Sequence, residues 1–156
     1  MVLSDYDLKQ NADELVVPFD PRNVSPASID LTLAADPNRR FDSEGDMVLL
    51  PNEFILLRTA ETVKVPEYLV AVVKGKSSIA RLGVMVECAG FVDPGFRGTI
   101  TLEVKNLTDK PITLKAGQKI CQIIYLQLTR PAIRPYSTEN GHHYQDQHDV
   151  TPSYLA

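Results

Sequence analysis

Apolar positions in this chain recur mostly at every second residue. "SIDLTL" (28–33) sets Ile29, Leu31 and Leu33 against Ser28, Asp30 and Thr32, the period of a half-buried strand. "MVLLPNEFILLRT" (47–59) reads as two apolar strands broken at Pro51-Asn52, and "TVKVPEYLVAVVK" (62–74) as a second proline-marked break before a valine-rich run. The clearest region is "GTITLEVKNLTDKPITLKAGQKICQIIYLQL" (98–128). There Ile100, Leu102 and Val104 face one way and Thr99, Thr101, Glu103 and Lys105 the other. "NLTDKP" and "KAGQ" are turns on either side of a short strand "ITL", and "ICQIIYLQL" is a long strand. Short strands at regular spacing with turn signals predict a mainly β domain, a sandwich or a barrel. The start differs: Ser4 can cap a short helix over "DYDLKQ", with Asp5 and Asp7 at its positive end. From Thr129 onward the alternation lapses. "RPAIRPYSTENGHHYQDQHDVTPSYLA" is polar, as a disordered tail would be, yet it keeps three tyrosines, as a docking segment would.

Composition narrows the class. A chain of 156 residues, 44% apolar and 23% charged, suits one soluble domain with a real core. The net charge of −4 argues against a dedicated nucleic-acid binder and leaves a local basic patch better suited to a small anion. No long apolar run suggests a membrane span. Cys88 and Cys121 stand far apart, so neither a zinc knuckle nor a disulfide framework is indicated. A reducing cytoplasm is the expectation, since residues 1 to 20 lack the charged and apolar regions of a signal peptide.

Three stretches carry candidate chemistry. "GKSSIARLG" (75–83) gathers two cations and two hydroxyls with no acid among them. Lys76, Ser77, Ser78 and Arg81 could grip an anion, arginine as a fork on phosphate oxygens. The Walker spacing is absent, and a serine-rich turn opening a short helix explains the same letters. "AGFVDPGFRG" (89–98) contains a strong Asp-Pro-Gly turn. Asp93 is either a turn residue capping its own backbone or a carboxylate held beside a substrate, with Phe96 as a flat apolar wall. Gly90, Gly95 and Gly98 let the backbone pass close to a ligand. Glu103 sits mid-strand, where glutamate is depleted. A solvated outer face explains it; so does a general base in a cleft.

"SPASIDLTL", "GKSSIARLG", "AGFVDPGFRG", "TLEVKN", "AGQKICQI" and "RPY…HYQDQ…TPS", taken in this order, resemble the dCTP deaminase family of the dUTPase superfamily. The resemblance covers most of the chain. It implies a distorted antiparallel β-barrel of the jelly-roll-like dUTPase type over 1–128, with residues 129–156 as a lid. It implies a homotrimer with active sites at subunit interfaces. Ser77, Ser78 and Arg81 would contact a triphosphate, with charge added by Lys76. Gln122, Ala89, Gly90 and Phe91 would join the substrate site, and Tyr136, His143, Tyr144 and Gln147 would close over the nucleotide. Mg²⁺ would accompany the triphosphate. Glu103 matches the family's catalytic glutamate, and a carboxylate there can take a proton from water and hand it on. The zinc deaminases need an H-x-E…P-C-x-x-C set; this chain has no C-x-x-C, and His142, His143 and His148 all lie in the tail. A zinc-free reaction is therefore the expectation.

The resemblance also implies a product. Asp93 matches the aspartate with which dUTPases activate the water that attacks the α-phosphorus. Gly90-Phe91 matches members that carry dCTP through to dUMP and diphosphate, feeding pyrimidine deoxynucleotide metabolism. There are departures: the segment from Arg81 to Asp93 is one residue shorter than the family pattern, Cys88-Ala89 stands where Thr-Ala is usual, and His143 where lysine is common. A plain dUTPase is one alternative, opposed by Glu103 and Phe96, where those enzymes usually have an apolar residue and a tyrosine. An inactive nucleotide-binding trimer is another.

Overall fold

The computed structural model describes residues 1–36, 40–87 and 90–155. The first turn forms as its letters dictate. In α1 (Asp5–Gln10) Ser4 Oγ accepts from Asp7 N–H while Asp7 returns a bond to Ser4 N–H, a reciprocal capping box. α1 buries only Leu8, and a second short helix, α2 (Ala12–Leu15), buries Leu15.

The rest is antiparallel sheet. One sheet runs β1 (Val16–Val17), β5 (Phe54–Lys64), β9 (Arg97–Asn106), β7 (Val84–Glu87). A second runs β2 (Val24–Ser25), β3 (Ser28–Thr32), β11 (Lys119–Gln127), β6 (Leu69–Gly75), β8 (Phe91–Val92). β4 (Asp46–Leu49) pairs with β10 (Ile112–Lys115). The expected breaks are present: the chain turns between β4 and β5 with Asn52 at φ 58°, and between β10 and β11 with Gly117 at φ 76°. β7 and β8 were not foreseen; they are short strands on either side of the Cys88–Ala89 segment, which lies outside the described residues.

The mainly β, antiparallel architecture agrees with expectation. Between the four- and five-stranded sheets the backbones meet at the Leu33–Thr59 bridge, beside which Ala34 N–H donates to the Arg58 carbonyl at 3.0 Å, so closure of a barrel is slight among the described residues. A buried carboxylate reinforces this point. Glu61, beside a bulge in β5, accepts from the N–H of Thr32 at 2.9 Å and its hydroxyl at 2.7 Å. One core lies between the sheets, with Leu31, Leu57, Leu102, Val104, Ile123 and Tyr125 at its centre. Tyr125 is the one large polar-tipped side chain there. Its hydroxyl lies 2.9 Å from the Leu15 carbonyl and 3.2 Å from that of Lys64, and burial pushes the phenol far above its ordinary pKa. No helix among the described residues is long and apolar enough to cross a membrane.

Asn106 anchors the end of β9. It is fully buried; its amide donates to the carbonyls of Leu49, Leu50 and Lys110, and its Oδ1 accepts from Thr108 N–H and hydroxyl. Asn106→Ala strands several buried polar groups and should lower unfolding free energy by about 3 kcal/mol. Thermal or urea melting checks this; an unchanged melt would mean the turn is held by other contacts.

Candidate active site

The site begins at one edge of β9. Its odd-numbered N–H groups face that edge. Near its C-terminal end the partner is β7, in register from Glu87–Glu103 to Val84–Asn106. β7 is described as far as Glu87, and the N–H and C=O groups of residues 97–99 on this edge take another partner. The tail provides it: Asp146 N–H donates to Arg97 O at 2.7 Å, Thr99 N–H donates to Gln147 O at 2.9 Å, and Gln147 bridges Gly98 in parallel. Beside these pairings, Ile100, Thr101 and Glu103 of β9, with Phe54 and Leu56 of β5, line a cleft of about 840 Å³.

Two glycines make the docking possible. A Cβ on Gly98 (φ 156°) would sit 3.0 Å from Gln147 O, and one on Gly95 (φ 93°) 2.7 Å from Pro135 Cβ. The close approach foreseen for a ligand at these two positions is made by the protein's own tail. Further ties are Gln145 Nε2 to Gly95 O at 3.0 Å and an ion pair between Arg97 and Asp146. Arg97 donates to the Asp146 carboxylate and holds it below the usual carboxylate range, against a weaker desolvation effect.

Aromatic rings then close the cleft. Tyr136 packs edge-on against Phe96 (centroids 5.6 Å apart) and stacks on His142 (4.2 Å). The Tyr136 hydroxyl accepts from Tyr144 N–H at 3.0 Å, and His143 stacks on Tyr154 at 4.0 Å. Gln147 Nε2 donates to Thr99 O at 2.7 Å, while its buried Oε1 has no protein partner. Such an orphan acceptor is costly unless a bound molecule or water satisfies it.

Of the residues singled out in the sequence, Phe91, Asp93, Phe96, Glu103, Tyr136, His143, Tyr144 and Gln147 share this cleft. Asp93 is exposed and does not cap its own backbone: the turn bond is Phe96 N–H to the Asp93 carbonyl at 3.2 Å, which leaves the carboxylate to the cleft. Glu103 is half-buried in the cleft wall rather than on a solvated face. Ala89 lies outside the described residues. Gly90 lies behind the wall, its carbonyl accepting from Val73 N–H at 2.8 Å.

Lys76, Ser77, Ser78, Arg81 and Gln122 are not among the described cleft-lining residues of the same chain. They gather elsewhere. Ser77 and Ser78 do open a short helix, α3 (Ser77–Ala80), buried through Ile79. Yet both serines are exposed, no side-chain cap bond is made, and Arg81 is exposed without an ion pair among the described residues. Lys76 Nζ binds Asp30 at 2.6 Å, and Gln122 Oε1 lies 3.4 Å from Ser28 Oγ. The carboxylate-bearing cleft and the cationic grip are thus separate surfaces of one protomer.

Sequence reasoning missed Phe54, Leu56, Thr101, His142 and Tyr154 in the cleft. Thr101 was legible, being two residues from Glu103 on the same face; Leu56 faces Glu103 only through the β5–β9 register.

The family model described as dCTP deaminase-like matches residues 36–128. The chain belongs to the dCTP deaminase-like family. Relatives named "dCTP deaminase, dUMP-forming" include that of Mycobacterium avium, 42% identical over 98% of this chain and 95% of the relative, and that of Dictyoglomus turgidum, 39% identical over 99% and 95%. Both alignments run over more positions (180 and 186) than this chain has residues, so these relatives carry segments that it lacks. Among solved structures, the 2'-deoxycytidine 5'-triphosphate deaminase of Agrobacterium tumefaciens superposes with a TM-score of 0.66 at 22% identity, over 80% of this chain and 47% of that one. The dUTPase of EIAV does so at 0.54 and 26%, over 72% and 85%. A dUTPase from phage phi11 of S. aureus, described with a structural Mg(II) ion, reaches 0.56 at 17%, over 74% and 86%.

Two tests follow for the dCTP deaminase-like cleft. Gly98→Ala should dislodge the tail from β9, speeding proteolysis beyond Thr129 several-fold while the melt of the β domain changes little; a wild-type cleavage rate would refute the docking. A depressed folded-state pKa makes the contribution of Asp146 present above the ordinary carboxylate value and lost as pH falls through the lowered one. Tail protection should therefore weaken in the acid range below about pH 4, and Arg97→Gln should remove that dependence.

Proposed function

We propose that the protein deaminates dCTP and carries the product on to dUMP, as the names of its relatives suggest. The observation that carries this reading is that one cleft brings together Asp93, Glu103 and aromatic residues of the tail. Glu103 takes a proton from a water that attacks C4 of cytosine and hands it to ring N3, where it stays; the proton of the new C4 hydroxyl then passes to the amino group, which leaves as ammonia while the C4 carbonyl forms, giving dUTP. Asp93 activates a second water for attack at the α-phosphorus, giving dUMP and diphosphate. Phe91 and Phe96 wall the cleft, and Tyr136, His143, Tyr144 and Gln147, within a lid formed by residues 129–156, exclude water from it. The names of the curated relatives favour this reading over a plain dUTPase.

The triphosphate is held by Lys76, Ser77, Ser78 and Arg81. Because these residues do not line the cleft of their own chain, the grip of one copy serves the cleft of another, in a homotrimer whose sites lie between subunits. The donor set suits a magnesium ion carried by the substrate: no group of three or more His, Cys, Asp or Glu is poised for a metal among the described residues, and Mg²⁺ is commonly held through phosphates and water. That ion would spread the charge of the phosphate chain.

Incubation with dCTP and Mg²⁺, resolving ammonia, dUTP, dUMP and diphosphate, tests the proposal. Ammonia with dUMP is expected. Inert dCTP with hydrolysed dUTP would point to a dUTPase, and no turnover of either to a binding module. Glu103→Gln should cut ammonia release at least about 100-fold, the usual weight of a general base. Asp93→Asn should suppress diphosphate release while ammonia release persists; normal diphosphate release would remove Asp93 from the reaction.

A further inference from the structure

Asp30 is a nearly buried carboxylate (side chain 5% exposed) with two ammonium groups on it, Lys76 at 2.6 Å on Oδ1 and Lys119 at 3.1 Å on Oδ2. The three residues come from three elements. Asp30 stands on β3 opposite Gln122 of β11, Lys119 opens β11, and Lys76 precedes α3 with its N–H bound to the Ile120 carbonyl at 3.1 Å. Lys119 also reaches the Arg22 carbonyl at 3.2 Å.

A carboxylate this buried is costly unless it is paired, and one lysine would neutralise it. The second leaves a surplus positive charge beside the exposed Ser77, Ser78 and Arg81. Asp30 uses one of the three donors of Lys76, so the others remain for an anion. Lysine is a flexible point charge, and two unpinned ammonium groups would repel one another and splay into solvent. Held on a single carboxylate, both stay at the anion's place before it arrives, which lowers the ordering cost of binding.

We propose that Asp30 is a positioning residue that fixes Lys76 and Lys119 as a paired cation for the phosphate chain, and that Lys119 is a further phosphate-binding residue. This rests on the reading of residues 75–83 as the triphosphate grip. The competing role is a structural tie between β3 and α3, which would move stability but not anion affinity.

The test uses the full chain and two probes, dCTP turnover and calorimetric binding of inorganic tripolyphosphate. In Asp30→Asn, tripolyphosphate affinity should fall about tenfold and the KM for dCTP rise in step with kcat little changed, as for loss of one charge-assisted contact. Asp30→Glu should recover part of the loss. Lys119→Met, at a side chain 41% exposed, should fold normally and shift the same two quantities in the same direction, which keeps the test alive if Asp30→Asn does not fold. A folded Asp30→Asn with wild-type tripolyphosphate affinity, or a Lys119→Met without effect, would overturn the proposal. If wild type binds tripolyphosphate, the variants weaken it, and dCTP is never turned over, the paired cation stands and the deaminase reading fails.

Discussion

A strand edge has to be paired, and β9 has two claimants for one edge. β7 takes the stretch from Glu103 to Asn106, and the tail takes the stretch around Arg97 to Thr99. The two partners arrive from different parts of the chain, with the interval Ile100–Leu102 between their described pairings. Glu103 stands at the β7 end of that interval and Gln147 at the tail end. The cleft lies over β9 and β5, lined by Thr101 and Glu103 of the one and Phe54 and Leu56 of the other, while Leu102 and Val104 of β9 enter the core. An edge with unpaired groups is a liability in a bare domain. Here part of the same edge is paired with the tail.

The chemistry of the two surfaces divides accordingly. The cleft is aromatic and acidic, with Asp93 and Glu103 among Phe91, Phe96 and Tyr136. The surface around α3 is cationic and hydroxylic, with Lys76 and Lys119 paired on Asp30. On the proposed function, the carboxylates that would move protons are thereby kept apart, within one protomer, from the cations that would hold phosphate. In the proposed reaction a second copy of the chain supplies the other half, which would make assembly a condition of activity.

Much of this was legible in the sequence where the signal is local. The alternation of "GTITLEVKN" gave both faces of β9, Ser4 gave the helix start, and Pro51-Asn52 gave the turn before β5. The tail's tyrosines hinted at docking because a solvated tail gains nothing from them. What was not legible depends on partners remote in the chain. β8 is only Phe91–Val92 and exists through its pairing with β6. Gly95 and Gly98 read as freedom for a ligand, whereas residues about forty to fifty positions away fill the space, a fact no window of sequence contains. The Asp30–Lys76 pair joins positions 46 apart, and Asp30 alone looks like the polar half of a strand alternation. Local periodicity specifies elements; register and edge pairing decide which side chains meet.

The central claim is that carboxylate cleft and phosphate grip belong to one site only when copies of the chain combine. Co-expression of a Glu103→Gln chain with a Ser77→Ala/Arg81→Ala chain, each inactive alone, measures it directly. If the site is shared, mixed oligomers regain dCTP deamination, because some interfaces join an intact cleft to an intact grip. If mixing restores nothing although mixed oligomers form, the two surfaces act within a single chain and the account is wrong.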